Sequence, residues 1–297
     1  MVDLIRGSEG IMPKKISRVH PFLKWAGGKR ALLPELRQHL PKDFADRNYF
    51  EPFVGAGALF FDQQPSKAVI GDANKDLILT YIQIRDNVET LISELKEHER
   101  FNKAEYFYEI RELDRNSSEF TRMSDVKKAA RLIYLNRTCF NGLYRVNSQG
   151  LFNVPFGYYK NPKICDEKLL QAVHRYLAQD GVSVDIVSGD YESTVKKADH
   201  TSFVYFDPPY YSPDNTNFVG YQANGFSEKD HERLKKLYVT LTERGTKCLL
   251  SNSDSDFIRS LYKDKQFEII SLRTRRMINC IAEKRGEVGE VLVKNWK

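Results

Sequence analysis

The tetrapeptide Asp207-Pro208-Pro209-Tyr210 is the stretch of the chain with the clearest capacity for chemistry, and it follows the apolar run 203–206. A run of aromatic and β-branched residues that stops at two prolines predicts a buried strand, because proline cannot continue a sheet ladder. The prolines fix the Asp207 carboxylate, the Pro208 carbonyl and the Tyr210 ring relative to one another. Two acceptors and an aromatic face suit a planar ligand that carries an amino group. A rigid turn without chemistry is the competing interpretation of the tetrapeptide alone.

A glycine turn follows an earlier strand pattern. Residues 49–53 run into Gly55 and Gly57 and then into an apolar helix start, which is the strand, turn and helix order of a nucleotide-binding α/β unit. The turn lacks the full dinucleotide fingerprint, so a dehydrogenase is not favoured. Asp72 ends the next predicted strand, where a carboxylate can accept hydrogen bonds from both hydroxyls of a ribose or can cap the following helix. Asp190 ends a later strand, where it could face an adenine ring, although turn chemistry explains it equally well.

A second glycine pair, Gly27-Gly28, precedes the predicted helix 30–40. Glycines allow a ligand to approach the backbone closely, and amides at a helix start favour anions, to which Lys29 adds a charge. The alternative is a glycine turn with a solvated lysine, and a P-loop is disfavoured because the upstream glycine and the Ser or Thr after the lysine are missing. Trp25 is either a core residue or a ligand contact.

The elements that must position these residues alternate between strand and helix, except in one helical stretch. The strand patterns are 49–53, 68–70, 182–187, 203–206 and 248–252, with 256–262, 267–272 and 288–296 completing the sheet. The helix patterns are 30–40, 74–84, 88–101, 105–113, 126–135, 169–177 and 227–243. Alternation of this kind predicts an α/β fold with a largely parallel sheet, and the helical stretch from about residue 89 to 137 predicts an insertion.

The end of this insertion carries side chains that suit nucleic acid. Ser148-Gln149-Gly150 lies between two short β-like runs and predicts a hairpin turn. Arginine and asparagine read base edges, lysine fits phosphate, and tyrosine wedges or stacks. A solvated hairpin with ordinary surface charges is the alternative. The candidates are Arg137, Asn141, Arg145, Asn147, Tyr158, Tyr159 and Lys160. A basic loop at 273–276 with 284–285 would also suit a phosphate backbone.

Composition limits the class of protein. The chain has 297 residues, 41% of them hydrophobic, and a net charge of +6 that permits a polyanionic partner. No apolar run reaches the roughly 20 residues that span a bilayer, and no signal peptide is recognisable, so a cytoplasmic protein is expected. The four cysteines are scattered without metal-ligand spacing, which predicts reduced thiols and no metal site. Residues 1–18 lack sustained periodicity and are predicted to be a mobile leader.

Five motifs occur in one order along the chain: 24–29, 51–57, 136–142, 152–157 and 207–210. Together they resemble the Dam-type (D12 class, α group) DNA adenine N6-methyltransferases. The resemblance implies a Rossmann-like, seven-stranded S-adenosylmethionine-dependent methyltransferase sheet with a mainly helical target-recognition insertion that carries a β-hairpin. It implies a catalytic domain of residues 19–75 and 166–297 and a target-recognition domain of residues 76–165. The expected partner is double-stranded DNA, with adenine as the methylated base and GATC as the site of many members.

The resemblance also assigns roles to individual residues. Asp207, Pro208 and Tyr210 would hold the amino group of an adenine flipped out of the duplex. The residues assigned to the methyl donor, from the resemblance and from the strand tips, are Trp25, Lys29, Phe53, Gly55, Gly57, Asp72, Asp190 and Asp207. The residues assigned to DNA, from the resemblance and from side-chain chemistry, are Arg137, Phe140, Asn141, Leu143, Arg145, Asn147, Pro155, Tyr159 and Lys160. The position of Phe140 is often tyrosine in the family, which leaves the recognition sequence open.

Two other functions remain alternatives at this point. Cytosine N4 methylation also uses an exocyclic amine, but the motif order and the sequence of the insertion disfavour it. A non-catalytic DNA-binding or regulatory protein of the same fold is disfavoured by the intact tetrapeptide together with Asp72 and the glycine turn. A monomer is expected, and pairing with a restriction enzyme is not readable from the residues.

Overall fold

A computed structural model describes residues 19–25, 27–213, 226–275 and 287–297. The predicted leader, most of the loop after Tyr210 and residues 276–286 of the basic region lie outside the described residues. Within the described ranges, no helix has the length and apolar character needed to cross a membrane.

A seven-stranded mixed sheet forms the centre of the fold, with the strand order β3-β2-β1-β4-β5-β7-β6. The strands are β1 (Asn48–Glu51), β2 (Lys67–Asp72), β3 (Ser183–Ser188), β4 (Ser202–Phe206), β5 (Lys247–Ser253), β6 (Glu268–Arg275) and β7 (Glu287–Lys294). Strand β7 is antiparallel to both of its neighbours, and the other pairings are parallel. The predicted α/β fold with a seven-stranded sheet is confirmed.

The strand order places the predicted chemistry at one edge. All five residues of β4 are buried, as a run without polar alternation predicts for a strand covered on both faces. Chain order reverses between β1 and β4, which pair in parallel at the middle of the sheet. In open α/β sheets the crevice outside the carboxyl ends at such a point is where ligands bind. Glu51 ends β1 at this crevice, and Asp207 follows β4 there.

Helices cover the sheet and build the insertion. The α-helices are α1 (Leu33–Gln38), α2 (Ala58–Gln63), α3 (Lys75–Asp86), α4 (Val88–Phe101), α5 (Ala104–Glu112), α6 (Ser117–Arg122), α7 (Asp125–Thr138), α8 (Glu167–Ala178), α9 (Tyr191–Thr194), α10 (Glu228–Glu243) and α11 (Asp256–Leu261). Helix α3 packs against β2 and β3 on one side and against α7 and α8 on the other. One hydrophobic core therefore continues from the sheet into the insertion.

Two local predictions need correction, and two short helices were missed. Residues 256–261 form helix α11 and not part of the sheet, because the Ser255 hydroxyl accepts a hydrogen bond from the Ile258 amide at 3.3 Å and caps a helix start. The predicted helix 30–40 begins as a 3-10 turn over Lys29–Leu32, and its α-helical part ends at Gln38. Helices α6 and α9 were not predicted, since each is too short to show a helical period.

The two arms of the predicted hairpin run antiparallel to each other, but they do not form continuous strands. They are joined by the isolated bridges Val146 to Phe152 and Cys139 to Phe156. The Asn147 amide donates to the Leu151 carbonyl at 2.9 Å, and the Asn147 side chain accepts from the Gln149 and Leu151 amides. The side chain of Asn147 thus replaces part of the missing ladder by closing the turn.

A buried asparagine fastens the amino-terminal segment to the insertion. Asn136 is fully buried on α7. Its side chain accepts from the Lys24 amide at 2.9 Å and donates to the Lys24 carbonyl at 2.6 Å and to the Gly142 carbonyl at 3.0 Å. One amide group therefore satisfies backbone atoms of two segments that have no regular pairing of their own.

We predict that Asn136→Ala lowers the free energy of unfolding by about 2 kcal/mol, because it leaves backbone groups without partners. Chemical denaturation measures this change. Asn116→Ala is the control, since Asn116 caps the exposed helix α6 and its loss costs about 1 kcal/mol. Equal losses for the two variants would contradict the anchoring role of Asn136.

Candidate active site

The Asp207 carboxylate is the centre of the candidate site. Lys29 Nζ lies 2.8 Å from Asp207 Oδ1, and the Ser251 hydroxyl on β5 donates to the same oxygen at 2.8 Å. No described residue donates to Oδ2. Burial raises the pKa of Asp207, while the charge and hydrogen bond of Lys29 and the hydrogen bond of Ser251 act in the opposite direction. Within the described part of the chain, the donors to this carboxylate therefore meet at a single oxygen.

Tyr210 is fixed through its hydroxyl. The hydroxyl donates to Glu290 Oε2 at 2.8 Å, and Glu290, on β7, is 8% exposed. Lys29 Nζ lies 4.4 Å from the centre of the Tyr210 ring, in a cation–π contact. Lys29 therefore contacts both the carboxylate and the ring of the tetrapeptide. The sequence predicted that Lys29 would lie beside an anion, and in the structure that anion is the Asp207 carboxylate.

The exit of the tetrapeptide is held from β5 as well. Asn252 Oδ1 accepts from the Tyr211 amide at 3.0 Å, and the Ser253 hydroxyl donates to the Tyr211 carbonyl at 2.8 Å. The sequence predicted the strand at 248–252, but it did not predict the link from Ser251 to Asp207. Glu290 gave no signal in the sequence.

The glycine turn and Asp72 form one unit. Asp72 accepts from the Gly55 amide at 3.0 Å and from the Asn74 amide at 2.9 Å. Gly55 and Gly57 have φ values of 47° and 69°, a region that glycine enters without strain. Asn74, and not Asp72, caps α3, because its side chain accepts from the Leu77 amide. The capping alternative for Asp72 is therefore wrong.

Trp25 and Phe53 are the two aromatic residues predicted to contact the methyl donor. The Trp25 indole stacks on Tyr144 with ring centres 5.3 Å apart, and a Cβ atom added to Gly55 would lie 3.0 Å from Trp25 Cδ1. Phe53 packs against Tyr191 at 5.1 Å. Trp25 thus lies beside the glycine turn that follows β1, and Phe53 lies beside the first residue of α9.

Asp190 is placed differently. Its two oxygens pair with Arg233 of α10 at 2.8 and 2.9 Å, and one of them accepts from the Glu192 amide to cap α9. This arrangement supports the turn chemistry that the sequence offered as the alternative for Asp190.

Glu51 is a buried acid that the sequence motif contained but to which no role was assigned. The Tyr49 hydroxyl donates to Glu51 Oε2 at 2.6 Å. Burial raises the pKa of Glu51 to about 8, and the nearby Asp207 carboxylate adds to the shift, while the hydrogen bond from Tyr49 opposes it. A protonated carboxyl therefore lies at the crevice near neutral pH.

The predicted DNA contacts lie on the insertion, most of them at its surface. Phe140 is 46% exposed, and its amide donates to the Pro155 carbonyl at 2.8 Å, which brings two predicted contacts together. Asn141 and Lys160 are exposed. Half-buried residues complete the surface, namely Leu143, Arg145, Asn147 and Tyr159.

Arg137 points inward. Its guanidinium donates to the Phe22 carbonyl at 2.7 Å, and burial lowers its pKa. The residue anchors the amino-terminal segment beside the Asn136 contacts. The contact with Phe22 therefore argues against the predicted DNA contact of Arg137.

Among the residues that the structure describes, no group of three or more His, Cys, Asp or Glu side chains is arranged to hold a metal ion. The cysteines in this part of the chain, Cys139, Cys165 and Cys248, are free thiols. The sheet, with its antiparallel seventh strand and a glycine turn after β1, has the architecture of the S-adenosylmethionine-dependent methyltransferase class.

Comparison with known proteins identifies the family. The chain belongs to the D12 class N6 adenine-specific DNA methyltransferases, whose family model matches residues 25–278. It is similar to the type II methyltransferase M1.LlaDCHI of Lactococcus lactis subsp. cremoris, with 44% identity over 287 residues that cover 96% of this chain and 99% of the relative.

Two further relatives support the assignment. The type II methyltransferase M.MjaIII of Methanocaldococcus jannaschii is 41% identical over 296 residues, covering 94% of this chain and 99% of the relative. The DNA adenine methylase of Escherichia coli K12 is 34% identical over 275 residues, covering 91% and 93%. The chain is an adenine-specific DNA methyltransferase, so the predicted family and enzyme class are confirmed.

The buried Glu51 gives a prediction for pH. Because its folded pKa is raised above the ordinary value of about 4.3, the folded chain binds more protons than the unfolded chain between about pH 4 and the folded value of about 8. The contribution of Glu51 to stability is complete below this window and is lost as pH rises through it. We expect Glu51→Gln, which keeps an acceptor for Tyr49, to lose less stability than the wild type between pH 5 and pH 9.

Thermal unfolding across this pH range measures the difference between the two proteins. The exposed Glu105→Gln variant is the control and should follow the wild type. Parallel pH profiles for Glu51→Gln and wild type would contradict a protonated Glu51 in the folded chain.

Proposed function

We propose that this enzyme moves a methyl group from S-adenosylmethionine to N6 of an adenine flipped out of duplex DNA, within GATC. The observation that carries the reaction is the tetrapeptide at the switch point of the sheet. Asp207 Oδ1 is held by Lys29 and Ser251, and the Tyr210 ring is held by Glu290. The remaining carboxylate oxygen can accept a hydrogen bond from an aromatic amine, and the Tyr210 ring can stack on its aromatic face.

The residues at the ends of β1 and β2 fit the donor. Asp72 accepts hydrogen bonds from the Gly55 and Asn74 amides, and a carboxylate offers about four lone-pair sites, so its remaining acceptor capacity suits ribose hydroxyls. A side chain at Gly55 would meet the Trp25 indole, so only glycine keeps the crevice open there. When bound, S-adenosylmethionine supplies the methyl group from a sulfonium: the carbon–sulfur bond breaks as the carbon–nitrogen bond forms, a neutral thioether leaves, and the amino nitrogen releases one proton.

Adenine N6 lies inside the duplex, so the base must leave the stack at a cost of a few kcal/mol. Stacking on Tyr210 offsets part of this cost. In the protein without DNA, Lys29 lies over the same ring and on the same carboxylate. We infer that the ammonium leaves the ring face when the base enters and that the amino group becomes a new donor to Asp207.

The protein promotes the reaction by position and charge. Asp207 and the Pro208 carbonyl accept hydrogen bonds from the amino group, which turns the nitrogen lone pair out of the ring plane and toward the methyl group. Preorganised acceptors of this kind favour the charge that develops on nitrogen as the carbon–nitrogen bond forms. Orientation by the two prolines and the β5 contacts supplies the alignment that direct transfer needs.

Residues 76–165 act as the target-recognition domain, and residues 19–75 with 166–297 act as the catalytic domain. Phe140, Leu143, Arg145 and Pro155 share the insertion surface with Lys160. Arginine is the side chain best suited to read guanine in the major groove. The relatives named DNA adenine methylase support adenine as the base, and the proposal of GATC rests on the resemblance to the Dam-type family.

We predict that Asp207→Asn abolishes methyl transfer while DNA binding stays close to the wild-type level, because the carboxylate acts on the amino group and not on the duplex. Incorporation of labelled methyl groups and oligonucleotide binding measure the two effects separately. Asp264→Ala is the control, since Asp264 is exposed and pairs with Lys235 far from the tetrapeptide in sequence. Retained transfer in Asp207→Asn would refute the mechanism.

We predict that Arg145→Ala relaxes the preference for the target site by roughly 1–3 kcal/mol, with a smaller change in total DNA binding. Competition between a GATC duplex and duplexes with one changed base pair measures the preference. The exposed Arg122→Ala variant on α6 removes the same charge elsewhere on the insertion and should keep the preference. An unchanged preference in Arg145→Ala would exclude base reading by this residue.

A further inference from the structure

Tyr144 is the inward-facing residue of the recognition segment. Leu143 has extended backbone angles, φ −73° and ψ 144°, so successive side chains point in opposite directions. Leu143 and Arg145 are half-buried at the surface, whereas Tyr144 is 7% exposed. The residue between two predicted DNA contacts therefore belongs to the interior.

Tyr144 joins the two sides of the molecule through its ring. One contact is the stack on Trp25, with ring centres 5.3 Å apart and planes at 23°. A second ring contact is with Phe152, on the opposite arm of the hairpin, with ring centres 5.8 Å apart. Trp25 in turn lies against Gly55, whose amide is bound by Asp72. A continuous chain of contacts runs from the donor crevice to the hairpin.

The recognition segment has little regular structure of its own. Its arms meet through two isolated bridges, the hydrogen bonds around Asn147 and those between Arg145 and Asn153, so no continuous ladder joins them. The Tyr144 ring adds a packing contact that joins this segment to Trp25 of the amino-terminal segment. A ligand that immobilises the Trp25 indole reduces the entropy that DNA binding must still remove.

We propose that Tyr144 is a positioning residue that couples occupancy of the methyl-donor crevice to DNA recognition. The inference rests on the proposed function, because it takes Trp25 as a donor contact and the hairpin as a DNA contact. Coupling is reciprocal: the donor strengthens binding of the target duplex, and the duplex strengthens binding of the donor by the same factor.

The test measures the dissociation constant of a labelled GATC duplex with and without saturating S-adenosylhomocysteine, which lacks the transferable methyl group. We expect S-adenosylhomocysteine to strengthen duplex binding about tenfold in the wild type, within the usual range of coupling between sites. In Tyr144→Ala the factor should fall to about twofold or less, and in Tyr144→Phe, which keeps the ring, it should stay near the wild-type value. Tyr108→Ala is the control, since Tyr108 stacks on Arg111 elsewhere in the insertion.

The coupling factor separates positioning from a merely structural role. A structural defect weakens duplex binding equally with and without S-adenosylhomocysteine, so an unchanged factor in Tyr144→Ala overturns the proposal. A factor near one in the wild type, or loss of the factor in Tyr144→Phe, overturns it as well. Failure of the wild type to bind either S-adenosylhomocysteine or DNA would instead contradict the proposed function.

Discussion

The buried ion pair between Lys29 and Asp207 is the interaction on which the site depends. A buried carboxylate is costly unless charge and hydrogen bonds compensate for lost water, and Asp207 obtains both from Lys29 and Ser251. These partners come from the amino-terminal segment and from β5. The pair therefore fixes the position of a segment without regular structure relative to the central strands.

The same amino-terminal segment is bound on its other side by the insertion. Asn136 holds the Lys24 backbone and Arg137 holds the Phe22 carbonyl, so this part of the segment contacts helix α7 while Lys29 contacts the tetrapeptide. The segment contributes Trp25 to the crevice and Lys29 to the tetrapeptide. This arrangement explains how catalysis and recognition can share one hydrophobic core although their residues are far apart in the chain.

The sequence predicted most strands because buried parallel strands appear as short apolar runs that end in polar or glycine residues. It also predicted the rigid tetrapeptide conformation and the glycine turn. Prolines restrict the backbone locally, and glycines permit conformations that other residues avoid. Residues 256–261 were misassigned because a short helix with one cap has too few turns to show its period. The hairpin was predicted from its turn, but the number of ladder hydrogen bonds depends on packing that the turn does not determine.

Contacts between residues that lie far apart in the chain could not be predicted from the sequence. The link from Tyr210 to Glu290 spans 80 residues and depends on where β7 enters the sheet, antiparallel between β5 and β6. Asn136 lies in one of the motifs that resemble the Dam-type family, yet its partner Lys24 lies 112 residues away. The pairing of Asp190 with Arg233 likewise depends on where α10 places Arg233 relative to the start of α9. Each of these contacts follows from topology, which local patterns do not encode.

The most direct test of the account is to incubate purified protein with plasmid DNA and S-adenosylmethionine and to map every methylated base. The account predicts N6-methyladenine, confined to GATC, with digestion blocked for nucleases that require the unmethylated site and enabled for those that require the methylated one. N6-methyladenine at another sequence would contradict the proposed target, and methyl groups on cytosine, or none on any base, would contradict the central claim.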